Sequence, residues 1–256
     1  MRIPLPCRYY EEMLFEKLVN VVKRSRCKCI ALSGGIDTSA ILLASIKAGS
    51  KPRAFTAIYS EGIPKDLPYV IYLSKLFNID LEVVSLSYKD AVSIRDDIVN
   101  CIGSRELDSH RDGGCIEFRN DVVFYTVLKS AKEFGCNCIY VGSGADELLL
   151  GYSFLLTLYG EALEDTIKRF IHGRYPELRI GSCLNVETVA PFLEEEIIDF
   201  ILEIPLNCLR SERMLGKEVI RYMLDFHGLD AIAWRRKTPA EEGAGTKSLC
   251  VSIYDY

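Results

Sequence analysis

The 256-residue sequence has no apolar run of about twenty residues, which excludes a membrane-spanning helix of ordinary length. The stretch from Met1 to Tyr10 lacks the apolar centre of a secretory leader, so a cytoplasmic protein with no membrane partner is expected. No two cysteines stand in C-x-x-C spacing, which argues against a zinc knuckle or a dithiol redox centre. Neither G-x-x-x-x-G-K-[ST] nor G-x-G-x-x-G occurs, and there is no internal repeat or low-complexity tract. A positive excess is missing too. The net charge of -5 does not favour a nucleic-acid partner, although Arg174, Arg179, Arg210 and Arg213 could form a modest basic patch.

What is present suits a soluble globular chain: 49% apolar and 26% charged residues. Ten cysteines are spread along it. Cys27/Cys29 and Cys136/Cys138 lie two apart in runs that read as buried strands, where alternate positions share a face. Free thiols behave as small hydrophobes, so core packing in a reducing cytosol is the expectation; disulfides in a heat-adapted cytosolic protein are the alternative.

Apolar spacing predicts helices over 10–24, 38–48, 66–77, 88–100 and 119–134, with strands over 27–32, 53–59, 81–86 and 137–141. Short apolar strands alternating with helices indicate an α/β fold, a doubly wound and mostly parallel sheet covered by helices. Residues 103–114 read as a loop. From about 145 helical patterns dominate, over 145–158, 160–171, 192–203 and 216–227. The expected organisation is one domain over 1–256, with an α/β core at 25–150 and a mainly helical part at 151–256.

Two strand-end loops carry the chemistry. The first runs Ser33-Gly34-Gly35-Ile36-Asp37-Thr38-Ser39. Its glycines let backbone N–H groups approach an anion, and the following helix N-terminus adds partial positive charge. Ser33, Thr38 and Ser39 offer hydroxyls, while Asp37 suits a magnesium ligand rather than a phosphate contact. The second, Gly142-Ser143-Gly144-Ala145-Asp146-Glu147, repeats the construction. If the first strand is central, the two loops lie side by side and Asp37 and Asp146 face one cation. On these grounds alone the site is an anion site of unspecified type, and Lys217 and the Trp234-Arg235-Arg236-Lys237 run could equally be solvated surface.

The first loop resembles the pyrophosphatase loop of N-type ATP pyrophosphatases (HUP or adenine nucleotide alpha hydrolase-like). The rest resembles the synthetase domain of asparagine synthetases, shared with β-lactam synthetases. The family's G-E-G-S-D-E is similar to 142–147, with Gly151-Tyr152 following. Its Pro-Phe-Leu-Asp is similar to Pro191-Phe192-Leu193-Glu194, its Gly-Lys to Gly216-Lys217 with Arg221 beyond, and its W-R-x-K…G-x-G tail to Trp234–Lys237 with Gly243-Ala244-Gly245.

The resemblance implies an ATP-dependent ligase of the asparagine-biosynthesis type. A substrate carboxylate attacks the α phosphorus, pyrophosphate leaves, and ammonia or another amine displaces AMP to form an amide. Ser33, Gly34, Gly35, Asp37, Thr38 and Ser39 would hold pyrophosphate, alongside Gly142, Ser143 and Gly144. Asp37 and Asp146 would ligate magnesium, Lys237 would stabilise the transition state with help from Lys217, and the adenine would lie near Leu32 and Ile58. Two departures stand out. No N-terminal glutaminase domain is expected in 25 residues before the first strand, which leaves room for a separate glutaminase partner. Ser143 replaces the family's glutamate, so either Glu147, Glu187 or Glu194 takes that role or the substrate is not aspartate. A homo-oligomer is compatible with the family. Adenylation of a tRNA base for thiolation, or nucleotide binding without catalysis, are the competing readings.

Overall fold

The computed structural model describes residues 5–210 and 215–254. Its first half alternates helices and strands: α1 (Leu5–Ser25), β1 (Cys29–Ala31), α2 (Ile36–Lys47), β2 (Arg53–Tyr59), α3 (Leu67–Phe77) and β3 (Leu81–Leu86). Three helices, α4 (Tyr88–Ser93), α5 (Arg95–Ile102) and α6 (Ser104–Leu107), lead to the long α7 (Cys115–Phe134) and then β4 (Cys138–Tyr140). The second half holds α8 (Ala145–Leu148), α9 (Gly160–Ile171), α10 (Pro176–Leu184), β5 (Glu187–Val189), α11 (Glu195–Leu202), α12 (Leu206–Leu209) and α13 (Glu218–Phe226).

The five strands form one sheet in the order β3-β2-β1-β4-β5, every pairing parallel. β1 is central, as the doubly wound expectation requires. Strand alternation divides its side chains between two cores: Ile30 belongs to the one made with α1, α2 and α13, and Cys29 to the one made with α5 and α7. The buried Tyr140 hydroxyl on β4 is satisfied by the Val22 carbonyl at 3.1 Å and Ser25 at 3.0 Å.

Three expectations change. The predicted helix over 145–158 stops at Leu148, where Leu150 takes a left-handed φ of 59° and a turn follows. A Cβ on Gly151 would lie 2.0 Å from an Asp146 carboxylate oxygen, so the backbone turns where the site needs room. The helix over 88–100 is two helices, divided at Ile94. The part expected to be mainly helical also supplies β5, which pairs with β4 in the main sheet.

The cysteines depart most from expectation. All ten are paired: Cys7–Cys208, Cys27–Cys138, Cys29–Cys136, Cys101–Cys183 and Cys115–Cys250. Spacing of two suggested packing within a strand. Instead each pair spans 82 to 201 residues, and only the adjacency of β1 and β4 brings Cys27 and Cys29 to their partners. Among the described residues no helix is long and apolar enough to cross a membrane.

Candidate functional site

Chain order makes the site. From β1 the chain adds β2 and β3 on one side, then returns to place β4 on the other. The loops leaving β1 and β4 therefore diverge around a crevice at the carboxyl edge of the sheet, where open α/β folds take ligands. They lie close together: a Cβ on Gly142 would stand 3.1 Å from the Thr38 methyl and 3.3 Å from the Asp37 Cβ.

A cleft of about 600 Å³ opens there. Leu32, Ser33, Gly35, Asp37 and Thr38 line it from the first loop, Gly142, Ser143 and Asp146 from the second, and Lys217 and Lys237 from the C-terminal part. Gly34, Ser39, Ile58 and Gly144 do not reach its wall. Gly34 packs instead against the start of α3, where an added Cβ would lie 3.0 Å from the Tyr69 Cβ. The buried Ser39 hydroxyl donates to the Gly35 carbonyl at 2.6 Å. Ile58 lies further along β2 than Phe55, Thr56 and Ala57, which do line the cleft beside Val123 and Val127 of α7. Gly144 is left-handed at φ 89° and packs against Leu193.

At the cleft floor two carboxylates converge on one ammonium. Lys217 Nζ lies 2.7 and 2.6 Å from the two Asp37 oxygens and 2.7 Å from Asp146 Oδ1. Lys237 Nζ donates to the same Asp146 oxygen at 2.7 Å and sits 4.1 Å from the Tyr152 ring centroid. Lys217 is held there by an unusual backbone: it adopts φ 54° after left-handed Gly216, whose Cβ would strike the Leu150 carbonyl at 2.0 Å. Its N–H bonds to the Leu149 carbonyl at 2.8 Å. Such strain persists only where the surroundings enforce it.

The electrostatics follow from burial and these contacts. Burial works to raise the Asp146 carboxyl, but two ammonium groups outweigh it and hold the group down at about 2. Burial pushes the Asp37 carboxyl up against the opposing pull of Lys217. Lys217 is raised: burial works to lower it, and Asp146 and Asp37 prevail. A small hard cation commonly takes one or two carboxylates together with substrate phosphates. Asp37 and Asp146, already sharing one cation, fit that donor set.

The neighbouring region is acidic. The Ser143 hydroxyl donates to Glu177, at the start of α10. Burial raises the Glu177 carboxyl, and the Ser143 bond opposes it. Glu147 accepts a bond from the Tyr152 hydroxyl at 2.5 Å. Across the cleft Arg174 pairs with Asp121 and, at 2.7 Å, with Glu117, both on α7. Asp121 is fully buried, and burial pushes it up to about 7 despite Arg174.

Of the acids expected to replace the missing glutamate, Glu147 is in the cleft. Glu187 is exposed on the edge strand β5, and Glu194 pairs with Arg24 at 2.9 Å away from the site. Glu177 escaped sequence reading because α10 itself did, although Pro176 at a helix start followed by an acid was a visible signal. The arginines considered for a basic patch are engaged: Arg174 and Arg179 face Glu106, and Arg210 is buried on the Leu155 and Leu156 carbonyls. Arg213 lies outside the described residues.

The family model described as asparagine synthase matches residues 14–175. A putative glutamine-hydrolysing asparagine synthetase of Methanocaldococcus jannaschii is 24% identical over 267 aligned positions, covering 88% of this chain and 47% of that protein. A 7-cyano-7-deazaguanine synthase of Thermoplasma acidophilum is 25% identical over 162 positions, covering 61% of this chain and 66% of its own length. The chain thus spans about half the first relative's length and just under two thirds of the second's. An NMN synthetase structure from Francisella tularensis overlaps 94% of this chain and 92% of its own, with 14% identity and a TM-score of 0.38, too slight a likeness to carry an argument.

Proposed function

The chain belongs to the asparagine synthase family, and from that premise we propose that it joins a carboxylate to an amine at the expense of ATP, releasing pyrophosphate and AMP. One observation carries this reading: Asp37, Asp146, Lys217 and Lys237 meet at the paired ends of β1 and β4. Two acids and two lysines within hydrogen-bond reach form a site whose charges can be repartitioned when a polyphosphate arrives.

In the proposed reaction the triphosphate lies along the Ser33–Thr38 loop, with its adenine in the apolar part of the cleft between Leu32, Phe55 and α7. Asp37 and Asp146 would hold magnesium, which supplies charge neutralisation to the pyrophosphate as it leaves. A substrate carboxylate oxygen attacks the α phosphorus, and the bond to the bridging oxygen of pyrophosphate breaks. Lys217 and Lys237 stand where that oxygen gathers charge. An amine then attacks the acyl carbon, the C–N bond forms, and the acyl–phosphate C–O bond breaks to release AMP.

Glu177 answers the question that Ser143 raises. Serine offers no charge to a substrate ammonium, but its hydroxyl is bonded to a carboxylate that does. The proposed acceptor therefore carries an ammonium group as well as the reacting carboxylate, which keeps aspartate among the candidates. Glu177 is also placed to take the proton that the amine loses. A relative is named as glutamine-hydrolysing, and a separate source of ammonia for this chain belongs to the same proposal.

The test is pyrophosphate release from ATP with magnesium, an ammonium salt and a panel of acids led by aspartate. Release that depends on an ammonium-bearing acid is expected. Failure to bind magnesium-ATP sinks the reading. Turnover with tRNA alone would replace it with base adenylation.

A further inference from the structure

Arg235 and Lys237 both line the cleft, but their side chains have different partners. One of its terminal nitrogens donates to the Gly34 carbonyl at 2.7 Å, within the first loop. The other is shared between Asp66, just before α3, and the Thr238 hydroxyl at 2.9 Å. Its guanidinium also lies 3.9 Å from the Tyr69 ring centroid. The Arg235 side chain is 8% exposed, and Asp66 is buried beside it. Its own backbone is anchored in turn, because buried Arg221 donates to the Ala233 carbonyl at 2.6 Å and the Arg235 carbonyl at 2.9 Å. Further on, the tail docks on the β2–α3 connection. Tyr59 N–H bonds the Ala244 carbonyl at 2.8 Å, Asp66 N–H the Gly243 carbonyl at 3.1 Å, and Lys65 N–H the Glu242 carbonyl at 3.3 Å.

The consequence lies in one peptide plane. The Gly34 carbonyl and the Gly35 N–H belong to the same planar trans unit and point in opposite directions. Arg235 holds that carbonyl on the side of Asp66 and Tyr69. The Gly35 N–H is thereby aimed at the cleft, where it meets the Ser33 hydroxyl at 3.2 Å. Gly34, left-handed at φ 69°, gives the plane the freedom to turn, and the fork bonded to Asp66 fixes which way it turns.

We infer that Arg235 is a positioning residue for the phosphate loop: it orients the Gly34–Gly35 peptide so that its N–H faces the ATP phosphates, and it makes docking of the tail a condition of that orientation. This rests on the proposed ATP chemistry. It assigns the two neighbouring cations of the tail different tasks. Arg235 holds the loop backbone at Gly34, and Lys237 reaches Asp146.

Calorimetric titration of the wild-type chain and Arg235→Lys with α,β-methylene ATP plus magnesium, and separately with AMP, tests it. Lysine keeps the charge but cannot span both the Gly34 carbonyl and Asp66. Losing one positioned, charge-assisted contact should weaken the triphosphate analogue roughly 30-fold and leave AMP nearly unchanged. Asp66→Asn, which leaves the guanidinium but loosens it, should weaken the analogue in the same direction by less. It reads the same ratio should Arg235→Lys fail to fold. Equal losses for both ligands, or none for the analogue, overturn the inference alone. A wild-type chain that binds no triphosphate overturns the ATP reading and the inference with it.

Discussion

The two halves of the cleft are built on different plans. At the ends of β1 and β4, two carboxylates face two lysines and the charges balance. Around Ser143 the cleft is lined by four carboxylates, of which Glu117 and Asp121 pair with Arg174, while Glu147 and Glu177 accept bonds from Tyr152 and Ser143. In the first half Asp37 and Asp146 open α2 and α8, the helices that follow the loops leaving adjacent strands, and glycines permit close approach. The second is assembled from α7, α8 and the start of α10, elements that meet only through packing. A balanced site can receive a magnesium-bound polyphosphate without stranding a charge. A cluster with more carboxyl groups than cations would suit a cationic group. The contrast separates how the chain would activate a substrate from which substrate it takes.

The strongest way to break this contrast is at the floor. Lys217→Met leaves Asp37 with no cation bonded to it, and turnover should fall a hundredfold or more by about the scale of a lost transition-state donor. ATP–pyrophosphate exchange measures it, and near wild-type exchange would remove Lys217 from the chemistry. Glu177→Gln probes the other half. The Michaelis constant for the ammonium-bearing acid should rise about 10- to 100-fold while the affinity for ATP holds. A loss shared equally by both substrates would erase the division.

The smallest expected effect is on stability. Asp121 is raised from its ordinary 3.8 to about 7 by burial. Between those values the folded chain keeps a proton that the unfolded chain has released. Its contribution is therefore full below about 3.8 and is lost as pH rises through about 7. Denaturant unfolding at a series of pH values should show wild-type stability falling across that window. The slope should be shallower in Asp121→Asn, with Glu11, also raised to about 7 by burial, keeping part of it. Parallel curves would show that Asp121 is ionised throughout.

Legibility in the sequence follows the same division. Strand-end glycines beside an acid signal a local requirement, so both loops were visible and their adjacency followed from parallel-sheet chain order. The partner of Ser143 was not visible, because a contact between Ser143 and Glu177 depends on how α10 packs against α7, which no local pattern encodes. Ile58 and Ser39 lie off the cleft wall, and the Ser39 hydroxyl is bonded to the Gly35 carbonyl, details of local geometry that a spacing pattern does not carry. Cysteine pairing was hidden for a similar reason. Spacing of two describes one strand, while the partners come from its neighbour.

That pairing pattern also constrains the chain in time. Cys7 on α1 closes with Cys208, 201 residues later, and two bridges at the start of β1 and β4 join residues 27 and 29 to 138 and 136. During synthesis Cys7 therefore meets its partner only once residue 208 has been made, and Cys27 and Cys29 only once 138 and 136 have. Ten thiols can combine in roughly nine hundred ways, and the pairing of β1 with β4 brings two of the five native pairs together. The sheet must act as the template for its own rivets.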